Sequence, residues 1–240
     1  VIANASALKP GSAVVVEKTP SHSLCASSIA LFAPRAKIVH LVRDGRDVAS
    51  SLVASGNGWG GWWAPKTVTR ASEVWSEHIR GARASAGSDS YLEVRYEDMQ
   101  SDGASTLERV FAHIGVAATS QDCEQLLAAF ALDKMANGES SIVIGGDFAA
   151  AASKRTEPVG FFGKGGSGSW RTQWGRDELL AFNDAAGDLL VELGYEESRN
   201  WAGSPSQIAS FRRKTQRSQR LYQRIERFSG AMDRLIRKQP

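Results

Sequence analysis

The chain has 240 residues, 42% of them apolar, with a net charge of +3; that length suits one α/β-sized domain with a full core and an appendage. No apolar run is long enough to cross a bilayer as a helix and no signal-peptide pattern is present, which reads as a cytoplasmic protein. Cys25 and Cys123 read as core residues instead of a redox pair, and His22, His40, His78 and His113 lack zinc spacing, so neither a disulfide nor a metal is expected.

The charge is unevenly spread. From Pro205 to Pro240 ten Lys or Arg face only Glu226 and Asp233, a net of +8, which leaves −5 on the rest. The basic character therefore belongs to the tail and says little about the body. Two parts are expected: residues 1–203 as an α/β domain and residues 204–240 as a basic helical tail.

In chain order, Ser12 to Glu17 is short and β-branched and predicts a buried strand. Ser23 to Ala33 predicts a helix stopped by Pro34. Lys37 to Val42 predicts a second buried strand, and Arg46 to Ser55 a helix ended by Gly56. A glycine–tryptophan loop follows, and its Trp59, Trp62 and Trp63 are assigned to core packing ahead of a pocket wall. Lys66 to Ala86 predicts a long helix, Tyr91 to Tyr96 a third strand, and Ser105 to Ile114 and Gln121 to Phe130 two amphipathic helices. Residues 140–168 look irregular, Asp177 to Leu193 helical, and the tail from Ser206 helical. Strands separated by helices imply a mostly parallel sheet flanked by helices, P-loop-like in outline, with ligands at the carboxyl ends of the strands.

Three constellations carry chemistry. At Arg43–Asp44–Gly45–Arg46–Asp47 a strand turns sharply into a helix, and Ser51 lies two turns on. A planar cation, helix amides and a hydroxyl together suit a phosphate; the competing reading is a solvated charge cluster capping the helix. At Glu17–Lys18–Thr19–Pro20–Ser21–His22 a mobile cation and an imidazole enter one region, suiting charge neutralisation and proton transfer; the competing reading is a helix start that His22 merely decorates. The run from Gly160 to Arg171 offers backbone amides with Lys164, and Phe161 and Phe162 to cover a base or sugar; it lacks Walker A spacing, so a flexible surface loop competes. Gly56, Gly58 and Gly61 match a dinucleotide-binding pattern by chance, since a helix and not a strand precedes them.

In this order these segments resemble the sulfotransferases that use 3′-phosphoadenosine 5′-phosphosulfate (PAPS). The resemblance covers roughly Val14 to Tyr195 and implies that PAPS is the co-substrate, adenosine 3′,5′-bisphosphate the product, and no metal takes part. By the match, Arg43 and Ser51 hold the 3′-phosphate, Tyr96 approaches the adenine, Phe161 contacts the nucleoside, and Lys164 and Gly165 contact the 3′-phosphate. Lys18 matches in register as the cation beside the transferring group, and His22 is the preferred base, although its offset differs from the family's. Gly163 and Ser169 stand where the family usually has Arg and Asp. The family's 5′-phosphosulfate loop is not found in the thirteen residues before Val14, so the chain is read as amino-terminally incomplete.

The implied reaction moves a sulfuryl group to a hydroxyl or amine of a small-molecule, carbohydrate or lipid acceptor. The alternatives are a kinase-like nucleotide binder, or a catalytically inactive piece whose tail binds a membrane or partner. The tail stripe Leu221, Ile225, Phe228, Met232 and Leu235 suits the protein's own body, a second copy or an anionic membrane surface. Its aromatics do not interleave with the charges, which argues against nucleic acid.

Overall fold

The computed structural model describes residues 14–136, 166–218 and 220. Two compact units emerge: Val1–Arg43 with Val74–Gly165, and Asp44–Glu73 with Gly166–Pro240.

The first unit is built on two parallel strands, β1 (Ile38–Val42) and β2 (Tyr91–Arg95), in register from Ile38 opposite Tyr91 to Val42 opposite Arg95. Period-two alternation is plain in β1: His40 and Val42 are buried, whereas Val39 and Leu41 are exposed. Helix α1 (Ala26–Phe32) precedes β1 and stops at Ala33, whose N–H bonds to Ile29 O just before Pro34. The second half of α3 (Val68–Arg83) packs Trp75, Ile79 and Ala82 into the core. Gly81 is required there, because a Cβ would sit 2.7 Å from the Ser23 carbonyl oxygen. After β2 come α4 (Tyr96–Ser101), α5 (Gly103–Ile114), α6 (Ser120–Ala129) and α7 (Leu132–Ala136). A capping box between Thr119 and Asp122 starts α6.

The second unit holds α2 (Gly45–Gly56), the first residues of α3, α8 (Trp170–Gln173), α9 (Arg176–Glu192) and a 3₁₀ turn (Arg199–Ala202). A helix over residues 205–218 follows. Leu180, Phe182, Ala186, Leu189 and Leu190 form the buried stripe of α9. Trp170, Trp174, Phe182 and Trp201 cluster with centroids 5.5–6.2 Å apart. Arg212 of the last helix pairs with Asp184 of α9 at 2.7 Å.

The α/β class and the parallel pairing agree with the sequence. Three expectations do not. Residues 14–17 are not in a strand, and Val16 is 80% exposed; β-branched residues favour an extended chain, but a strand exists only through a ladder partner, and among the described residues β1 pairs with β2 alone. Cys25 is exposed, because the 3₁₀ turn Pro20–Cys25 carries it outward, although Cys123 is buried. Trp62 is 88% exposed and Trp63 47%, so the tryptophan loop is not core; it is a run of turns in which Trp59 and Trp63 meet each other at 5.5 Å. The sequence also missed the short helices α4, α7 and α8, each too short to show a full apolar period. The tail stripe from Leu221 lies outside the described residues.

Candidate functional site

The register of the two strands sets the first part of the site. Because Val42 is opposite Arg95, the next residues along each strand, Arg43 and Tyr96, emerge side by side at the carboxyl ends. The Arg43 guanidinium carbon lies 4.4 Å from the Tyr96 ring centroid. Such a cation–π contact contributes about 0.5–2 kcal/mol and restricts the rotamers of Arg43 before any anion arrives. The two residues that the resemblance assigns to the phosphate and the base are thus neighbours. Ser51 is exposed on α2, in the second unit.

The charges after Arg43 are not a solvated cluster. Asp44 caps α2 by accepting from Arg46 N at 2.9 Å. The Arg46 side chain, 2% exposed, donates to Asp44 from Nε and Nη2 at 2.7–3.2 Å and from Nη1 to Glu196. Its guanidinium also lies over the rings of Trp170 and Trp201, at 4.1 and 4.8 Å. Burial alone would lower the pKa of Arg46, but hydrogen bonds and charge from Asp44 and Glu196 outweigh it and the net direction is upward. Arg46 is therefore a permanent buried cation, neutralised in place.

Asp47 is also 2% exposed. Its carboxylate accepts from Gly168 N at 2.7 Å, Ser169 N at 3.0 Å and Ser169 Oγ at 3.1 Å. One turn of α2 thereby holds the carboxyl end of the glycine-rich run, while Arg46 holds the tryptophan that follows. Sequence reasoning missed these roles for Arg46 and Asp47; the one available signal was two further charges directly behind a strand-ending Arg.

The third part is residues 17–22. Lys18 is exposed on a stretch without regular secondary structure, not at the end of a strand as expected. Pro20 starts the 3₁₀ turn, with the His22 N–H bonded to Thr19 O at 3.0 Å. The turn folds His22 back onto Glu17: His22 Nδ1 lies 2.6 Å from Glu17 Oε2, and Thr19 Oγ1 donates to Glu17 Oε1 at 2.6 Å. Within the same turn, Ser23 Oγ lies 2.6 Å from His78 Nδ1. Phe161, Lys164 and Gly165 lie outside the described residues.

Each unit holds one further feature. In the first unit, His40 Nδ1 meets Tyr91 Oη at 2.6 Å, and Tyr91 donates to Glu93, which receives Arg83 from two nitrogens at 2.8 Å each. Burial lowers the His40 pKa against the pull of Glu93; hydrogen bonds from Arg83 lower that of Glu93; burial raises that of Tyr91, with the Glu93 charge adding to it. In the second unit a groove of about 380 Å³ is lined by Val53, Lys66, Thr69, Asp177 and Phe211, among others. Among the described residues no helix is long and apolar enough to cross a membrane.

Open α/β sheets take up small ligands beyond the carboxyl ends of their strands, which is where Arg43 and Tyr96 stand. Residues 2–120 match the sequence profile of the Sulfotransferase family. Rat (Rattus norvegicus) Sulfotransferase 2A1 is 25% identical over 191 residues, covering 73% of this chain and 63% of that protein. Rat Sulfotransferase 2A6 is 29% identical over 122 residues, covering 45% and 40%. Among solved structures, mouse sulfotransferase SULT7A1 complexed with PAP (adenosine 3′,5′-bisphosphate) aligns with a TM-score of 0.52 at 16% identity, over 68% of this chain and 61% of that one; that likeness concerns the fold. Over residues 2–120, just under half of its length, the chain belongs to the sulfotransferase family. It spans less than two thirds of the length of these relatives.

Proposed function

We propose that this chain binds PAPS and supports in-line transfer of its sulfuryl group to a hydroxyl or amine of an acceptor. The observation that carries the reading is the contact of Arg43 with Tyr96 at the carboxyl ends of β1 and β2. Family membership and the complex of the mouse relative with PAP support it.

In this reading Arg43 and Ser51 hold the nucleotide's 3′-phosphate, and Tyr96 approaches its adenine. Phe161, Lys164 and Gly165 add the contacts assigned to them by sequence match. The 3′-phosphate is remote from the sulfur, so these groups anchor the donor instead of stabilising the reaction centre. Lys18 offers its ammonium to the charge that develops on the transferring group. His22 accepts the acceptor's proton, a role worth about 10²–10⁴-fold in rate. Catalysis here is positioning and charge neutralisation, as in phosphoryl transfer. The acceptor in this reading is a small molecule, carbohydrate or lipid.

Calorimetric titration with adenosine 3′,5′-bisphosphate, adenosine 5′-monophosphate and ATP tests the reading. The bisphosphate is expected to bind well ahead of both others. ATP binding as tightly as the bisphosphate would favour a kinase-like protein and overturn the proposal.

A further inference from the structure

Resting on the assignment of His22 as base, we infer that Glu17 is its positioning residue: the carboxylate holds the imidazole with its proton on Nδ1 and leaves Nε2 as the proton acceptor. The sequence assigned Glu17 no role. The evidence is geometric. An oxygen of an ionised carboxylate only accepts, so a contact of 2.6 Å to Nδ1 requires a hydrogen on that nitrogen. The neutral ring then carries its lone pair on Nε2, on the opposite side of the imidazole. In water the neutral side chain favours the other tautomer, which is inert as a base through Nε2, so the selection has a consequence.

The carboxylate is itself held. Thr19 donates to its other oxygen at 2.6 Å, and the 3₁₀ turn begun by Pro20 fixes the return of His22 through the bond to Thr19 O. The His22 and Glu17 side chains are 49% and 32% exposed, so the ring stays open to an incoming acceptor. The step then balances as follows. The acceptor's O–H proton passes to His22 Nε2 as its oxygen forms a bond to the sulfur of PAPS. The bond from sulfur to the 5′-phosphate oxygen breaks, and its electron pair leaves on that oxygen, giving adenosine 3′,5′-bisphosphate. The resulting imidazolium faces the Glu17 carboxylate, the same division of labour as in a Ser–His–Asp site.

The decisive experiment is long-range ¹H–¹⁵N correlation on the whole chain at about pH 8.5, above the ordinary imidazole range, with the His22 signal identified by its loss in His22→Gln. The wild type is expected to carry its proton on Nδ1. Glu17→Ala should move it to Nε2, while Glu17→Gln, which keeps a carbonyl acceptor, should retain the Nδ1 form. With PAPS and an accepted phenol or alcohol, Glu17→Ala should lower kcat by about 10- to 100-fold, with KM for PAPS unchanged and partial rescue in Glu17→Gln. A wild-type proton on Nε2, a tautomer indifferent to Glu17→Ala, or a full kcat in that variant would overturn the inference. Loss of bisphosphate binding would instead overturn the proposed function, and the tautomer would still decide the role of Glu17.

Discussion

Replacing Asp47 by Asn tests whether α2 holds the glycine-rich run. The carboxylate accepts three hydrogen bonds, two of them from backbone N–H groups, in a site 2% exposed. Asparagine keeps one acceptor oxygen and places an NH₂ where the other stood. Either Gly168 N–H or Ser169 N–H then loses its acceptor and faces a donor. A hydrogen bond to a charged group is worth about 1.5–3 kcal/mol, and a buried donor left unsatisfied costs about 1–3; the two overlap, so the expected loss is about 2–4 kcal/mol. Ser169→Ala removes only the hydroxyl bond to that carboxylate, a long one at 3.1 Å, and should cost about 1.5 kcal/mol, the low end of the range for a charged partner. Urea denaturation gives the energies, and amide hydrogen exchange at Gly168 and Ser169 gives the location. An Asp47→Asn protein with a wild-type midpoint and undiminished protection at those two amides would refute the reasoning.

Arg46→Met leaves Asp44 and Glu196 without their shared buried cation and should cost about 3–5 kcal/mol, read as a lower urea midpoint, with Glu196→Gln milder. Gly81→Ala places a methyl 2.7 Å from a backbone oxygen that cannot turn aside; a loss of about 1–3 kcal/mol is expected in the same assay. Burial depresses the pKa of His40 from its ordinary 6.5, so its contribution to stability is present above that pH and is lost as the pH falls toward the folded value. Glu93, depressed from 4.5 by Arg83, acts in the same sense at lower pH. Urea midpoints at about pH 7.5 and 5.5 should therefore fall for the wild type and fall less for His40→Gln; equal slopes would contradict the assignment.

The elements around the site were readable because each carries a local signal. The apolar run of β1 ends at Arg43, and Asp44 before Gly45 is a ready N-cap for α2. An alternating run ending at Tyr96 gives β2, and the order strand, helix, strand gives the parallel pairing. The fate of Asp44, Arg46 and Asp47 was not readable. Whether such charges are solvated depends on Trp170, Trp201, Glu196 and the Gly168–Ser169 amides, all more than a hundred residues away, and periodicity holds no record of them. Residues 14–17 show the opposite failure, since their composition favours extension without supplying a partner strand. The Glu17–His22 contact was missed because its spacing of five matches neither a helix face nor a strand face; Pro20 and a 3₁₀ turn create it. Trp62 shows that a large indole marks surface as well as core.

The central claim is that Arg43 anchors the nucleotide through its 3′-phosphate. The direct measurement is calorimetric titration of adenosine 3′,5′-bisphosphate into wild type and Arg43→Ala, with adenosine 5′-monophosphate as the control lacking that phosphate. Removing one charge-assisted contact should weaken bisphosphate binding about 10- to 150-fold while leaving the monophosphate nearly unaffected. Equal bisphosphate affinity in the two proteins would contradict the account.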